Sequence, residues 1–268
     1  MDAWKVSDEL STQLPDDLTR VVVRVVAGDV TVTSGPVGRL DVRRESGADV
    51  TVEMHNATLF VSQPDPDLAP IVRFFKMFTE GSRHRCSVHI VAPPNAEVSV
   101  TTVSAPVVVS GFDRESKVKT VSGDVTLSDL RNEVGVTTVS GEIEAKGIAA
   151  GMRLKTVSGD VAVVDGACRF VDAKTVSGDV LLDLDLDPAG TYDVSTVSGE
   201  VAVRTISEPN LSVDATSVSG SLVSDFGIGW EARPGRRTVS ETIGTGGARL
   251  YVKTVSGDLR VLRGRTAA

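Results

Sequence analysis

Residues 120–127 read TVSGDVTL, and this stretch decides the fold. Complete copies of its first five residues, Thr-Val-Ser-Gly-Asp/Glu, begin also at residues 138, 156, 175, 196 and 254, with variants at 102 and 217. From Thr102 to Ser217, successive copies begin 18 to 21 residues apart. A fixed period of this length indicates one structural unit that is stacked on itself.

Within each copy, apolar and polar residues alternate, which is typical of a half-buried strand. In residues 120–127 the alternation predicts that Val, Gly, Val and Leu face inward and that the Thr, Ser, Asp and Thr between them face outward. A second apolar set recurs between copies: Leu130, Val134 and Val136, then Ile148, Met152 and Leu154. The inward-facing positions of the two sets cannot belong to one unbroken alternation. A bend is therefore expected near the residue that precedes each copy.

Short strands separated by bends predict an all-β fold, a single-chain parallel β-helix or solenoid with about 18–21 residues per coil. The general preference of parallel crossovers predicts a right-handed coil. We expect one continuous solenoid domain. Residues 1–101 form a divergent, partly antiparallel β region, residues 102–224 the regular coils, and residues 225–268 a Gly/Arg-rich excursion and a closing coil.

One short helix is predicted near residues 68–80, with Pro70 in its first turn and Gly81 as a stop. Its apolar residues are Ile71, Phe74, Phe75 and Phe78. Because the open end of a solenoid exposes core, one interpretation is a cap over such an end or side wall. The other is a surface that contacts a partner or a membrane surface.

Composition excludes several classes of protein. The net charge of −8 and the pI near 5.0 argue against a nucleic-acid binder. No apolar run is long enough to span a membrane. Cys86 and Cys168 stand in unrelated contexts and predict free, buried thiols.

The outward positions of the repeat form the candidate surface. If the coils stack in register, hydroxyls and carboxylates form parallel columns: Ser122, Asp124, Ser140, Glu142, Ser158, Asp160, Ser177, Asp179, Ser198 and Glu200. Calcium takes six to eight oxygen ligands, whereas each coil offers one carboxylate and its hydroxyls. We therefore assign no metal ligand, cofactor or catalytic residue, and binding of cations by these carboxylates is left open.

The chain resembles a known family through motifs spread over residues 20–262. These are Val-Ala-Gly-Asp-Val at residues 26–30, a strand pair around Pro93, the repeated Thr-Val-Ser-Gly-Asp-Val, and the closing Ile243–Leu250 segment. They resemble the bacterial β-strand-repeat family of unknown function labelled "putative adhesin". The resemblance implies the same fold and a role at the cell envelope, and it implies no catalytic residue.

Three functions follow as expectations. The first is a non-enzymatic binding or adhesin-like module that presents a repetitive Thr/Ser/Asp surface to a protein or a glycan. The second is a self-associating cytoplasmic scaffold of the bactofilin kind, and the third is a polysaccharide-active β-helix enzyme. The first ten residues lack the basic and apolar regions of a secretory signal, which predicts a cytoplasmic location, whereas the resemblance implies the envelope.

Overall fold

The alternating apolar positions form strands throughout the computed structural model, which describes residues 2–63, 84–205, 210–228, 235 and 237–264. All regular secondary structure in these ranges is β, in 25 strands. The helix predicted near residues 68–80, with Ile71, Phe74, Phe75 and Phe78, lies outside the described residues.

The chain divides into two compact units, Met1–Asp124 and Val125–Ala268. The strands of the first unit are β1 (Asp2–Val6), β2 (Glu9–Gln13), β3 (Arg20–Arg24), β4 (Ala27–Ser34), β5 (Arg39–Ser46), β6 (Val50–His55), β7 (Thr58–Ser62), β8 (Arg85–Ala92), β9 (Glu97–Thr101), β10 (Val107–Ser110) and β11 (Ser116–Lys119).

The first unit mixes antiparallel and parallel pairing in two sheets, with strand orders β1-β6-β7-β3-β9-β11 and β2-β5-β8-β4-β10. Pairing is antiparallel from β1 to β7 and from β2 to β8, and parallel beyond them. The prediction of a partly antiparallel N-terminal region is confirmed.

The strands of the second unit are β12 (Val125–Ser128), β13 (Val134–Thr137), β14 (Ile143–Lys146), β15 (Met152–Lys155), β16 (Val161–Gly166), β17 (Phe170–Lys174), β18 (Val180–Leu184), β19 (Thr191–Ser195), β20 (Val201–Thr205), β21 (Leu211–Ser217), β22 (Leu222–Ser224), β23 (Arg237–Ile243), β24 (Ala248–Lys253) and β25 (Leu259–Arg263).

Two sheets also make up the second unit. Sheet A has the order β13-β15-β17-β19-β24-β21-β23, and sheet B has the order β12-β14-β16-β18-β20-β25-β22. All neighbours are parallel except β21 and β23. Each coil contributes one strand to each sheet, which confirms the all-β solenoid.

Register confirms the predicted length of a coil. The sheet B partners of Val125, Ile143, Val161 and Val180 lie 18, 18, 19 and 21 residues further along the chain. The nineteenth residue is absorbed by a register shift between β16 and β18. Alternate side chains of both sheets fill the core, among them the second apolar set that was predicted from Leu130 to Leu154.

Strand order departs from sequence order in both units. In the second unit, β24 and β25 lie between the β19/β20 coil and the β21/β22 coil. In the first unit, β3 and β4 lie between β7/β8 and β9/β10. The segment at residues 248–263 is therefore an internal layer of the stack.

The predicted orientation of the first two residues of the repeated phrase is wrong. The threonines are buried, at 2–7% exposure from Thr102 to Thr254, whereas the following valines from Val157 onward are 42–48% exposed. The phrase lies in the bend between two strands, so the alternation of the next strand cannot be extended back through it. The repetitive surface is therefore made by Val, Ser and Asp/Glu, and the threonine of the phrase belongs to the interior.

Candidate functional site

Serines at the bend form a paired column in the second unit. Ser158, Ser177, Ser198, Ser256 and Ser219, in that order, are joined by parallel β-bridges, and we call them the serine column. Backbone hydrogen bonds fix each step: the amide of Ser177 donates to the Val157 carbonyl at 2.9 Å, and the amide of Ser198 donates to the Val176 carbonyl at 2.9 Å. These backbone hydrogen bonds hold the bends in register, just as the ladder of hydrogen bonds holds neighbouring strands in register.

The glycine of the phrase allows these bends to approach one another. A Cβ on Gly178, whose φ is +146°, would lie 2.2 Å from the carbonyl oxygen of Gly159. A Cβ on Gly199 would meet the oxygen of Gly178 at 2.1 Å. Only glycine fits this position, because the neighbouring backbone occupies the space of a side chain.

The residue after the glycine gives the acidic column, which we define as Asp160, Asp179, Glu200 and Asp258. Asp160 Oδ1 accepts from the amide of Asp179 at 2.8 Å, and Asp179 Oδ1 accepts from the amide of Glu200 at 2.6 Å. At the end of the column, Asp258 Oδ1 accepts from the amide and the hydroxyl of Ser221 at 2.7 and 2.8 Å. These bonds lower the pKa of Asp258. The aspartates therefore tie one coil to the next.

The valine side chain of the phrase does not connect one coil to the next in this way. Val157, Val176, Val197, Val255 and Val218 precede the bridged serines and follow the same order, and we call them the valine ridge. Their exposed fractions are 45%, 48%, 46%, 48% and 42%. Neighbouring coils of a solenoid are about 4.8 Å apart, so the ridge extends over about 19 Å. It is a continuous apolar strip beside a strip of hydroxyls.

The threonines of the phrase are buried hydroxyl groups in both units. In the first unit Thr120 Oγ1 accepts from the amide of Gly123 at 3.1 Å and from Thr102 Oγ1 at 2.9 Å. In the second unit Thr138 Oγ1 likewise accepts from the amide of Gly141 at 3.1 Å. In the next coil Gly159 donates to the Ser177 carbonyl instead, and Thr156 Oγ1 is buried without a partner among the described residues. Water is the natural partner of such a group.

The ten residues that were predicted as the outward surface are placed as follows. Nine are exposed and Glu200 is half-buried: Ser122, Asp124, Ser140, Glu142, Ser158, Asp160, Ser177, Asp179, Ser198 and Glu200. Ser122 and Asp124 belong to the first unit, where the amide of Ser122 donates to the Val103 carbonyl at 2.9 Å. In the second unit, bridges join Ser158, Ser177 and Ser198 into one column. A use of this surface in binding remains a prediction.

Sequence reasoning missed the valine ridge and the last two members of the serine column. The break in the inward/outward alternation before each copy could have indicated the ridge, because at a bend two consecutive residues can exchange the inward and outward sides. The positions of Ser256 and Ser219 had no local signal, because they depend on the interleaved strand order.

The two cysteine thiols and the Tyr192 side chain are buried, which limits their reactivity. Cys86 and Cys168 are free and buried. Burial raises the pKa of the Cys86 thiol to about 12 and that of the Cys168 thiol to about 11. Tyr192 is fully buried, and its hydroxyl donates to the Cys168 carbonyl at 2.7 Å. In the described ranges, no group of three or more His, Cys, Asp or Glu side chains could hold a metal ion.

A separate open groove of about 480 Å³ lies in the first unit. Its lining consists of Ser11, Thr12, Gln13, Val37, Gly38, Arg39 and Val91. Asp41 binds Arg39 through two hydrogen bonds of 2.7 and 2.9 Å, and this pairing lowers the pKa of Asp41. The groove therefore lacks an uncompensated charge that would attract an ion.

Comparison with solved structures finds the same fold in two bacterial proteins. A "putative adhesin" from Bacteroides fragilis NCTC 9343 is similar, with 12% identity, a TM-score of 0.53, and coverage of 95% of this chain and 97% of that chain. A "Putative lipid binding protein" from Parabacteroides distasonis ATCC 8503 is also similar, with 12% identity, a TM-score of 0.52, and coverage of 97% and 98%. These identities are low, so the likeness concerns the fold.

Three further findings bear on the identity and class of the protein. No functionally curated protein matches the chain. Within the described ranges there is no helix with the length and apolar character needed to cross a bilayer. The profile of one family, Toastrack DUF4097, matches residues 49–262, which is most of the sequence. The chain therefore belongs to the Toastrack DUF4097 family.

Proposed function

We propose that the chain is a non-enzymatic, adhesin-like binding module whose ligand surface is the valine ridge together with the serine column. The observation that carries the proposal is the valine ridge itself: five half-exposed valines on consecutive coils of one unit. A contiguous exposed apolar strip with a polar margin is the usual mark of an interaction site.

The other residues of the phrase support this interpretation, because each of them has a structural role within the fold. Threonine lies inside, serine continues the ladder, glycine permits close approach, and aspartate accepts from the next coil. A β-branched residue suits the extended backbone at the valine position, but threonine is β-branched too and would be better hydrated there. The fold itself therefore does not call for an apolar side chain at this position.

The geometry suggests an extended ligand. A ridge of about 19 Å is long enough for about six residues of an extended peptide, or for a short linear glycan, that presents one apolar face. The serine hydroxyls beside the ridge would supply hydrogen bonds, and the acidic column would favour a ligand with few negative charges. Such a ligand points to the cell envelope as the site of action.

A threonine series on the ridge tests the proposal. Thr keeps the β-branched shape of Val, so Val157, Val176 and Val197 would be replaced together by Thr. The matched control replaces Val37 and Val223, which are 60% and 54% exposed and lie outside the ridge. The wild-type and variant proteins would be applied to immobilised glycans and to protein extracted from bacterial envelopes.

We expect the control to bind as the wild type does and the ridge variant to lose at least tenfold in affinity, since several buried methyl groups are removed from one interface. Equal binding by the ridge variant and the wild type would show that the ridge is not the ligand surface. Accessibility of the protein to protease on intact cells would separately test the envelope location.

A further inference from the structure

Strand β23 ends sheet A of the second unit with an edge that no described strand covers. It pairs with β21 on one side only, in an antiparallel register from Leu211 with Ile243 to Ser217 with Arg237. Four of its seven residues are exposed and the other three are half-buried. Among the described residues no strand pairs with its other side. An exposed edge of this length is a template for pairing with a further strand.

The side chains of β23 follow the two faces of the sheet. Val239 and Glu241 are opposite Ala215 and Val213, which are buried, so the odd-numbered positions of β23 lie on the core side. This side carries both signs of charge, Arg237 and Glu241, with Val239 midway between them. Charges of one sign on an edge strand would repel the same strand of a second copy. A strand with both signs can be complementary to itself.

We infer that β23 pairs with β23 of a second copy of this chain, antiparallel and about a two-fold axis at Val239. In this register Arg237 is opposite Glu241 of the second copy, and Glu241 is opposite Arg237. Val239 meets Val239, and Thr238 meets Ser240. All five opposed pairs between Arg237 and Glu241 are favourable: two ion pairs, one apolar pair and two hydroxyl pairs.

Other registers lose this complementarity. With the axis at Ser240, Arg237 would be opposite Ile243 and Glu241 opposite Val239. With the axis at Glu241, two carboxylates would face each other, and a parallel in-register pairing would set Arg237 against Arg237. The charge pattern therefore selects one arrangement.

The Nε atom of Arg237 is buried within the single chain. In the inferred dimer the Glu241 carboxylate of the second copy would therefore accept from the terminal nitrogens of the guanidinium group, for which a carboxylate is the best partner. The pairing would also place two valine ridges in one particle, which strengthens binding to a repetitive ligand.

Charge reversal and its rescue test the inference on the full chain. The mass in solution would be measured from micromolar to millimolar protein, by sedimentation equilibrium at low and at high salt. We expect a concentration-dependent dimer whose dissociation constant rises about tenfold in R237E and in E241R, because attraction becomes repulsion at two sites. In the double variant R237E/E241R the dissociation constant should return close to the wild-type value, since the pairs are restored with exchanged signs.

Cysteine trapping tests the register. The V239C variant places two thiols opposite each other at the axis, whereas S240C on the same strand is opposite Thr238 and serves as the control. The native thiols of Cys86 and Cys168 are buried and do not compete. We expect rapid disulfide-linked dimer from V239C and little from S240C. A monomer at every concentration would overturn the inference, and so would a dimer that is indifferent to both charge reversals or is trapped equally well at both cysteines.

Discussion

Replacement of Gly178 by Ala measures how closely the bends of neighbouring coils are packed. The new Cβ would lie 2.2 Å from the Gly159 oxygen. An ordinary carbon–oxygen contact is about 3.3 Å, so the bends would have to separate by about 1.1 Å. Three bonds cross this junction: the amide of Ser177 to the Val157 carbonyl at 2.9 Å, the amide of Gly159 to the Ser177 carbonyl at 3.1 Å, and the amide of Asp179 to Asp160 Oδ1 at 2.8 Å.

The expected magnitude follows from these bonds. Weakening three hydrogen bonds at about 1 kcal/mol each gives about 3 kcal/mol. An alanine held at a φ of +146°, which side-chain-bearing residues rarely adopt, adds about 1 kcal/mol. The total of about 4 kcal/mol would be read from urea denaturation followed by circular dichroism. For a chain of this size it corresponds to a melting temperature lower by about 8–16 °C.

Gly227 provides the control for backbone strain. Its φ is +79°, and a Cβ there would meet nothing within 4 Å. Gly227→Ala should therefore cost only the strain, about 1 kcal/mol. If the two variants differ by less than about 1 kcal/mol, the bends are not packed as tightly as the distances indicate, and the explanation of the repeated glycine is wrong.

Three further outcomes are expected. Tyr192→Phe removes the bond to the Cys168 carbonyl and leaves buried groups unpaired, so the free energy of unfolding should fall by about 1–3 kcal/mol in urea titrations; no change would mean that water replaces the bond. Cys86 and Cys168 should resist a thiol reagent in the folded protein at pH 8 and react fully in denaturant, because burial raises both pKa values far above that pH. Since the pKa of Asp258 is lowered by its bonds to Ser221, its carboxylate stabilises the fold above the pKa of an unfolded aspartate, and this contribution is lost as the pH falls through the lower, folded pKa. Asp258→Asn should therefore reduce the loss of stability between pH 6 and pH 3, and an unchanged acid transition would count against the role of this bond.

Much of the fold could be predicted from the repeated phrase. The period gave the length of a coil, and alternation within strands such as Val125–Ser128 gave their buried faces. The interval of 19 residues corresponds in the structure to the register shift near Gly166. These features are local, so they depend on residues that are neighbours in sequence.

The candidate surface was less predictable, because it depends on bends and on long-range pairing. At Thr156 and Val157 the chain turns, so the side that each residue faces cannot be derived from the alternation of the following strand. The order in which Ser198, Ser256 and Ser219 stack follows from the position of β24 and β25. Several strands of similar sequence could occupy that layer, and a single sequence does not show which of them is the most stable there.

The interleaved layer at residues 248–263 has a consequence for biosynthesis. The ribosome makes the strands at residues 211–224 before the layer on which they pack. Until residues 248–263 have been made, the strands at residues 211–224 lack their native neighbour. They either remain unpaired or pair transiently with the coil at residues 191–205. Completion of this part of the stack is therefore delayed until that later segment has been synthesised. A nascent chain that stalls between residues 224 and 248 would be a natural target for chaperones, although most of its coils have already been made.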